Sequence, residues 1–234
     1  MNKALKIVLE IVLAGVIVFL IVKTVKSVQK PVQFNKEVAV RSDVAIQRLK
    51  DIRTLQEAFK SVNGRFTSSV DSLVAFYNEG KMSIVMQIGS MDDSIAVVNT
   101  NAIKKANKRL KPADLAKKLE DAYHAGQRVV YSTSKEIAVR DTLFKARGES
   151  FKADSLLYIP FSGGQLTEME AIVKTVSGVQ VPLFEARMPY KALLKGMDNQ
   201  LRINLDAERK DQNKYEGLQV GSISVPNNNA GNWE

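Results

Sequence analysis

The sequence predicts an α+β protein in which a long N-terminal transmembrane-plus-amphipathic helix packs on a mainly antiparallel β-sheet domain. Three observations predict this class: an apolar run near the N-terminus, an apolar stripe at helical spacing after it, and short alternating segments between turn residues in the second half. We divide the 234 residues into a membrane anchor (1–30), an amphipathic stem helix (31–64), an α+β domain (65–226) and a polar C-terminal tail (227–234).

The apolar run has the length of a membrane span. Residues 11–22 read IVLAGVIVFLIV, and the apolar character extends from Ile7 to Val25 with three interruptions. A helix that crosses the hydrocarbon core needs about 20 mostly apolar residues. Membrane lipid is therefore a predicted partner. The residues expected to contact it are Ile11, Val12, Leu13, Val16, Ile17, Val18, Phe19, Leu20, Ile21 and Val22.

The residues after this run favour an uncleaved anchor over a secretory signal peptide. A signal peptide has an apolar core of about 7–15 residues and a small-x-small cleavage site. The core is longer here, and the following residues 23–27 (KTVKS) contain no such site. The chain has no cysteine, which excludes a lipid-modified cysteine and disulfide bonds.

Basic residues on both sides of the span give opposing indications of its orientation. More of them follow the span than precede it, which favours a cytoplasmic domain by the positive-inside count. A first span with a very short basic tail more usually keeps that tail inside, and large domains translocate largely regardless of charge. We expect the tail inside and the soluble domain in the periplasm or another extracytoplasmic compartment.

The formal net charge is +9, and part of the excess lies in the segment 104–118, KKANKRLKPADLAKK. This segment is either a solvated helix face or a patch for anionic lipid or another polyanion. Aromatic residues are not interleaved with the basic ones, and the chain has no motif typical of a nucleic-acid reader. No nucleic acid is therefore predicted as a partner.

The stem is predicted to be one long helix from Ala4 to Val62 with a joint at Pro31, where the missing backbone donor bends or breaks the helix. Apolar residues then recur at steps of three and four, which places them on one stripe. Asn63-Gly64 ends the helix. The stripe must pack on its own sheet, on copies of itself, or on both. Its residues are Ala45, Leu49, Ile52, Leu55, Phe59 and Val62.

The domain is predicted to begin with short elements of both kinds. Ser68 or Ser69 caps a second helix that ends at residues 78–80, and Pro112 opens a helix that Gly126 closes. Short strands are expected at residues 83–88 and 95–98, around a polar turn at 91–94, and further strands at 128–132, 136–144, 156–161, 166–176, 179–188 and 217–225.

Smaller features complete the prediction for the second half. Pro182 implies an edge strand or a strand end, because proline cannot donate to a sheet ladder. Residues 190–194 are expected to form a helical turn. Trp233 is expected to anchor the tail, either to its own domain or to a partner.

The N-terminal third resembles the type IV pilin and type II secretion pseudopilin superfamily. Glu10 lies in IVLEIVLAGVI, similar to the start of the family, which has an apolar helix with one Glu inside it. Residues 48–73, RLKDIRTLQEAFKSVNGRFTSSVDSL, resemble the family's transition from helix to loop, with Asn63-Gly64 followed by Phe66. The resemblance implies an amphipathic helix packed on an antiparallel sheet and a function in assembly.

The chain departs from the family pattern at two places. Family members are processed after a Gly that precedes an aromatic residue, whereas Leu5 and Lys6 precede Ile7 here, so a prepilin peptidase has no obvious site. Pro31 also lies further from Glu10 than the family's helix-bending proline.

Glu10 has two interpretations. In the family such a Glu offsets the amino terminus of a neighbouring subunit, and an ionisable group in a span is usually paired. Alternatively, Glu10 lies at the membrane edge and pairs with Lys6 one helical turn away, in the less favourable order. Possible subunit contacts are thus Glu10, Ala45, Leu49, Ile52, Leu55, Phe59 and Val62.

No pattern in the sequence predicts catalysis, a metal site or a cofactor. His124 follows Tyr123 at a helix end, Asp92-Asp93 is typical of a turn, and Glu168 and Glu170 lie on one strand face. Residues 162–164 (SGG) form a turn without the context of a phosphate loop or a nucleophile elbow. We therefore expect no enzyme.

These observations predict a single-pass membrane protein of the cell envelope that acts through protein–protein packing. It is expected to be a pilin-like or pseudopilin-like structural subunit, forming a homo-oligomer or a hetero-complex with other envelope proteins. The alternative is a monomeric, membrane-anchored binding module for a lipid, a glycan or a secreted partner. An anchored hydrolase would require acidic pairs that converge in space and has the least support.

Overall fold

A computed structural model of the protein describes the backbone of residues 3–234 and the side chains of residues 7, 10–148 and 150–234. It confirms the α+β class, the long N-terminal apolar helix and antiparallel sheets. The α-helices are Lys3–Asn63 (α1), Val70–Glu79 (α2), Ser94–Ala106 (α3), Pro112–His124 (α4), Val139–Thr142 (α5), Tyr190–Leu193 (α6) and Asn199–Asp211 (α7). The strands are Lys81–Ile88 (β1), Tyr131–Ala138 (β2), Glu168–Val176 (β3), Val179–Pro189 (β4) and Gly217–Gly221 (β5), and residues Lys145–Ser150 and Ala153–Leu157 form 3₁₀ helices.

Helix α1 is continuous over 61 residues and contains Pro31 in its interior. The predicted long stem helix is therefore confirmed, but it does not break at the proline. Proline removes one backbone hydrogen bond and clashes with the preceding turn, at a cost of about 3 kcal/mol. The helical segments on both sides are long enough to continue in spite of this local cost.

The chain divides into two compact units. One unit comprises Met1–Lys60, Arg65–Val74 and Lys152–Glu234, and the other comprises Ser61–Gly64 and Ala75–Phe151. The predicted α+β domain at 65–226 thus contains parts of both units. We call them the stem unit and the insert unit.

The sheet of the stem unit is antiparallel with the strand order β3-β4-β5. A two-residue turn joins β3 to β4, and both of its residues, Ser177 and Gly178, have positive φ angles of 52° and 82°. Such a turn matches the right-handed twist of the strands it connects. The strands predicted at 166–176 and 179–188 are confirmed.

Pro182 lies in the middle strand of this sheet, but it behaves as an edge residue. It pairs with Val173 of β3, while β5 pairs only with residues 185–189 of β4. The side of β4 away from β3 is therefore unpaired at Pro182, which suits a residue without a backbone N–H.

The second half of α1 packs within the stem unit. The Gln56 amide donates to the sulfur of Met169 on β3 at 3.1 Å. Phe66, shortly after α1, contacts Phe184 on β4 with ring centroids 4.8 Å apart. Phe184, Ala186 and Met188 on β4 and Val220 on β5 have no exposed surface. The hydrophobic core of this unit therefore lies between helix and sheet.

The C-terminal tail lies along β5 of the same sheet. Val220 pairs with Gly231 in an isolated antiparallel bridge. Asn232 donates its backbone N–H to the Gln219 carbonyl at 2.9 Å, and Gln219 N–H returns a bond to the Asn232 side chain at 3.1 Å. The residues around Trp233 thus dock on their own unit, one of the two outcomes expected for this tail.

In the insert unit, β1 and β2 pair antiparallel along their whole lengths, from Lys81 opposite Ala138 to Ile88 opposite Tyr131. Helix α4 contributes to the small core against this ribbon. The core residues are Leu119, Val129 and Tyr131, with Ile88, Ile103, Leu115 and Ala122 packed around them. The predicted helix after Pro112 and the strand at 83–88 are confirmed.

Four predicted strands of the domain differ from the structure. Of the segment 128–132, only the last two residues belong to a strand, at the start of β2. Residues 95–98 belong to α3, because the Asp93 carboxylate caps it by accepting from the backbone N–H groups of Ile95 and Ala96 at 3.1 and 3.2 Å. The segment 136–144 leaves strand structure at α5. The segment 156–161 contains the end of a 3₁₀ helix and a single bridge between Tyr158 and Leu166.

No helix or strand is predicted for residues 199–211, but these residues form α7. None of the residues of this helix is fully buried, so it lacks the buried apolar stripe by which helices are predicted. The signal for it is Asp198, whose carboxylate caps the helix by accepting from Gln200 and Leu201. Strand β5 ends at Gly221, earlier than predicted, where the positive φ of 73° turns the chain.

Candidate functional site

The first half of α1 presents its apolar side chains to the surroundings. The ten predicted lipid-contacting residues, from Ile11 to Val22, are 46–67% exposed. By length and composition α1 can cross a membrane, and none of the residues in its apolar window is buried. A continuous apolar surface of this size is typical of an interaction with membrane or protein. The helix is therefore a candidate membrane anchor.

Two polar residues at the end of this segment contact other groups of the same helix. Thr24 donates its hydroxyl to the Leu20 carbonyl at 2.8 Å, so its hydrogen-bonding capacity is used inside α1. The Lys23 ammonium lies 5.7 Å from the centre of the Phe19 ring. Both arrangements suit the boundary of an apolar span, where long cationic side chains reach toward the polar interface.

Glu10 is exposed on α1. The side chain of Lys6, its alternative partner within the helix, lies outside the described residues, as do the side chains before it. Pairing of Glu10 with a neighbouring subunit or with Lys6 stays a prediction. Either way, Glu10 is the acidic residue of the apolar segment.

The predicted apolar stripe of the stem divides into a buried part and an exposed part. Ala45, Leu49, Ile52 and Leu55 have no exposed surface. Phe59 is half-buried, and Val62 is 47% exposed. The first four residues therefore belong to the protein's own core, the first of the three alternatives for the stripe. Among the predicted subunit contacts, Glu10 and Val62 are exposed.

Arginine residues beside the stripe attach α1 to the rest of the stem unit. Arg48 donates to the carbonyl oxygens of Ser155 and Tyr158 at 2.8 and 2.6 Å. Burial lowers the pKa of Arg48 below its ordinary value, and nearby Asp51 partly offsets that effect. These are strong hydrogen bonds from a cation that remains protonated at neutral pH.

Arg41 and Arg53, which precede and follow Arg48 along α1, also bind other segments of the stem unit. Arg41 donates to the carbonyl oxygens of Leu193 and Lys195 at 3.2 and 3.0 Å. Arg53 forms an ion pair with Glu234 at 2.7 Å.

The residues set aside as sites have structural roles. Asp93 caps α3 and pairs with Arg128 at 2.6 Å. The His124 ring lies 5.8 Å from that of Tyr123, and Glu168 lies 3.5 Å from Arg187. Among the described residues, no three His, Asp or Glu side chains gather in an arrangement that could hold a metal ion.

The insert unit carries an open pocket of about 370 Å³ between α3, α4 and the ribbon. Its lining is more apolar than polar, and its polar members are Gln87, Thr100, Asn101, Lys104, Tyr131 and Ser132. The basic residues of the segment 104–118 are exposed. The structure therefore places this charge at the surface, and its use for binding an anionic partner stays a prediction.

A scan against protein-family models finds no model that matches this chain, and searches of curated proteins and of solved structures likewise find no significant match.

Proposed function

We propose that the protein is a membrane-anchored structural subunit of a cell-envelope complex, pilin-like or pseudopilin-like, that acts through protein–protein packing. The observation that carries this proposal is the dual character of α1. Its first half exposes apolar side chains over the length of a membrane span, and its second half is built into the core of the stem unit. One unbroken helix therefore connects a lipid-facing segment to a folded domain.

The continuity of α1 favours a subunit that holds its domain in a defined place. At 1.5 Å per residue, its 61 residues extend over about 90 Å, roughly three times the thickness of the hydrocarbon core. A flexible linker would serve a simple tether equally well. A helix held by a buried stripe and three arginines instead restricts the orientation of the domain relative to the anchor.

An exposed ridge of valines on α1 supports packing between chains. Val28, Val32, Val40 and Val44 are 63%, 49%, 57% and 38% exposed and recur at four-residue steps, with Lys36 between the two pairs. Residues four apart form one of the ridges by which helices pack against each other. We call these four residues the valine ridge, and we propose that it contacts a neighbouring subunit.

The valine ridge gives a direct test. Wild type, Val40→Glu and Lys50→Glu are extracted from membranes in mild detergent, and the size of each complex is measured by native electrophoresis and particle imaging. Val40→Glu is expected to yield smaller particles, because it places a charge in a helix contact. Lys50→Glu, an exposed change on the same helix, is the control and should keep the wild-type size. A wild type that is already a discrete monomer would refute the proposal.

The compartment is part of the same proposal. We infer that the domain is periplasmic or extracytoplasmic, because short basic tails before a first span are usually retained inside. Val98 is 65% exposed and the chain has no cysteine, so Val98→Cys provides a single labelling position. A membrane-impermeant maleimide should label it in cells with a permeabilised outer barrier and an intact inner membrane. Labelling only after lysis of that membrane would place the domain in the cytoplasm.

The pocket of the insert unit supports the second candidate function, a monomeric anchored binding module. Its apolar lining with a few polar groups is typical of small-molecule sites. This function requires no contact between copies. A monomeric particle whose stability rises on addition of a lipid or glycan fraction would favour it over assembly.

A further inference from the structure

One edge of the sheet in the stem unit is partly covered by another segment of the chain, and the other edge is open. The tail covers part of the β5 edge through the Val220–Gly231 bridge and the bond from Asn232 to Gln219. At the other edge, β3 pairs with β4, and in the described part of the chain its outer side has no backbone partner. Soluble domains usually cover or interrupt an edge strand, because its free N–H and C=O groups recruit other strands.

The middle of β3 borders an open pocket and carries branched apolar residues. Ala171, Ile172 and Val173 line this pocket of about 480 Å³, together with Phe59, Ser72 and the loop 65–68. Ile172 and Val173 are 36% and 54% exposed. The strand extends over nine residues and contains no proline or glycine. A strand of this length without proline or glycine can add a further strand at its free edge, and its charged residues decide which partner and register it accepts.

The charges on the exposed face of β3 are incompletely paired within the chain. Arg187 lies between two carboxylates, 3.5 Å from Glu168 and 3.2 Å from Glu185. Glu170 lies directly opposite Glu185, and none of the ion pairs of the described residues involves it. Like charges in such opposed positions repel. A cation on the open side of Glu170 would relieve this repulsion.

Lys174, two positions beyond Ile172, is such a cation when a second copy of the strand brings it to the open side of Glu170. The Lys174 ammonium donates to the carbonyl oxygen of Ser224 at 2.6 Å, which leaves its charge without a carboxylate. Glu170, Ile172 and Lys174 lie on the same face, because side chains alternate along a strand. The face therefore presents an acid and a base at equal distances from a central apolar residue.

We propose that the open edge of β3 pairs antiparallel with β3 of a second copy of this chain. The register that overlaps all nine residues places Ile172 opposite its own counterpart. In that register Glu170 lies directly opposite Lys174 of the second copy, and the two-fold symmetry makes the same pair again on the other side. The inference rests on the proposed function and names the partner of one surface of the subunit.

Cysteine crosslinking of the full chain in its native membrane tests the pairing. Because the chain has no cysteine, Ile172→Cys can form a disulfide within a homodimer only with the second copy. Opposed residues of paired strands are about 4.5–5.5 Å apart at Cα, within disulfide reach. Mild oxidation should give a dimer band several-fold stronger than the control Ile203→Cys, which is 43% exposed on α7. Equal yields, or a band with a different protein in place of the dimer, would overturn the proposal.

Charge exchange tests the register. In the Ile172→Cys background, Glu170→Lys and Lys174→Glu should each weaken dimer formation roughly tenfold, because each change opposes like charges at two places. The double variant Glu170→Lys with Lys174→Glu restores opposite charges and should recover the wild-type yield. Unchanged yields in the single variants, or no recovery in the double variant, would refute this register. Thermal unfolding of all three confirms that they are folded.

The outcomes also separate this inference from the proposed function. If Ile172→Cys does not crosslink while the large complex that depends on Val40 persists, the edge pairing is wrong and the function as an assembly subunit stands. If both the complex and the crosslink are missing, both proposals fail.

Discussion

Gln56 and Thr67 form hydrogen bonds in both directions between a side chain and the backbone. The Gln56 Nε2 donates to the Thr67 carbonyl oxygen at 2.6 Å, and its Oε1 accepts from the Thr67 N–H at 3.1 Å. Gln56 has no exposed surface. The pair attaches the buried face of α1 to the loop that leads into α2. A buried polar residue of this kind satisfies backbone groups that no strand or helix would satisfy.

Replacing Gln56 by leucine should destabilise the protein by about 3 kcal/mol, because it leaves the N–H and C=O of Thr67 buried without partners. Gln33→Leu, at an exposed position of the same helix, should change stability by no more than about 0.5 kcal/mol. Thermal unfolding of both variants in the same detergent measures the difference. A similar melting temperature for the two would show that water replaces the lost bonds.

The division of the apolar stripe predicts opposite results for two equivalent substitutions seven residues apart. Leu55→Asp should cost more than about 3 kcal/mol, because Leu55 has no exposed surface and the new carboxylate would be buried. Val62→Asp should be tolerated, because Val62 is 47% exposed. Denaturant unfolding of the two variants provides the comparison. If Val62→Asp keeps the fold but reduces complex size, Val62 is a contact between chains.

The ion pair between Arg53 and Glu234 predicts a pH-dependent tail. The hydrogen bond from Arg53 is the largest cause that lowers the pKa of Glu234 below its ordinary value of 4.5. The unfolded tail therefore takes up its proton at a higher pH than the docked tail. Stabilisation of the docked tail is complete above pH 4.5 and is lost as the pH falls through the lower folded pKa.

Fluorescence of Trp233, the single tryptophan, reports this loss, since it neighbours the pair in sequence. The emission should shift as the pH falls below 4.5, in low salt more than in high salt. Glu234→Gln removes the carboxylate that pairs with Arg53, and its emission should change much less with pH in this range. The same acid-induced shift in both proteins would assign the change to another group.

Substitution of Glu10 should affect membrane insertion and self-association differently. Glu10→Leu should leave membrane insertion intact or improve it, because it removes an acidic residue from the apolar segment. If Glu10 pairs with a group on a neighbouring chain, the same change should reduce self-association by leaving that group unpaired. Crosslinking yield in membranes at equal expression distinguishes the two. An unaltered yield would indicate that Glu10 lies at the membrane–water interface without a partner in another chain. It would also remove one support for the proposed pilin-like function.

Local chemistry was sufficient to predict several elements. The Ser69 hydroxyl accepts the N–H of Ser72 as expected of a cap for α2, and Pro112 opens α4. The Ser177-Gly178 turn joins two strands at the predicted place. Each of these depends on residues within one turn of each other. In contrast, the β-branched residues at 95–98 suggested a strand, and the carboxylate of Asp93 decided for a helix.

The candidate anchor followed from the sequence by itself, because the solubility of a run of apolar residues depends on composition and length and not on neighbours. The long helix, the α+β class and the main hairpin followed in the same way from periodicity. The packing of the folded chain determines which part of the stripe is buried, which groups Arg41, Arg48 and Arg53 bind, and which sheet edge the tail covers. The arginine contacts join residues more than 100 positions apart. Such contacts depend on how the packed elements meet in space, which the periodicity of each segment does not contain.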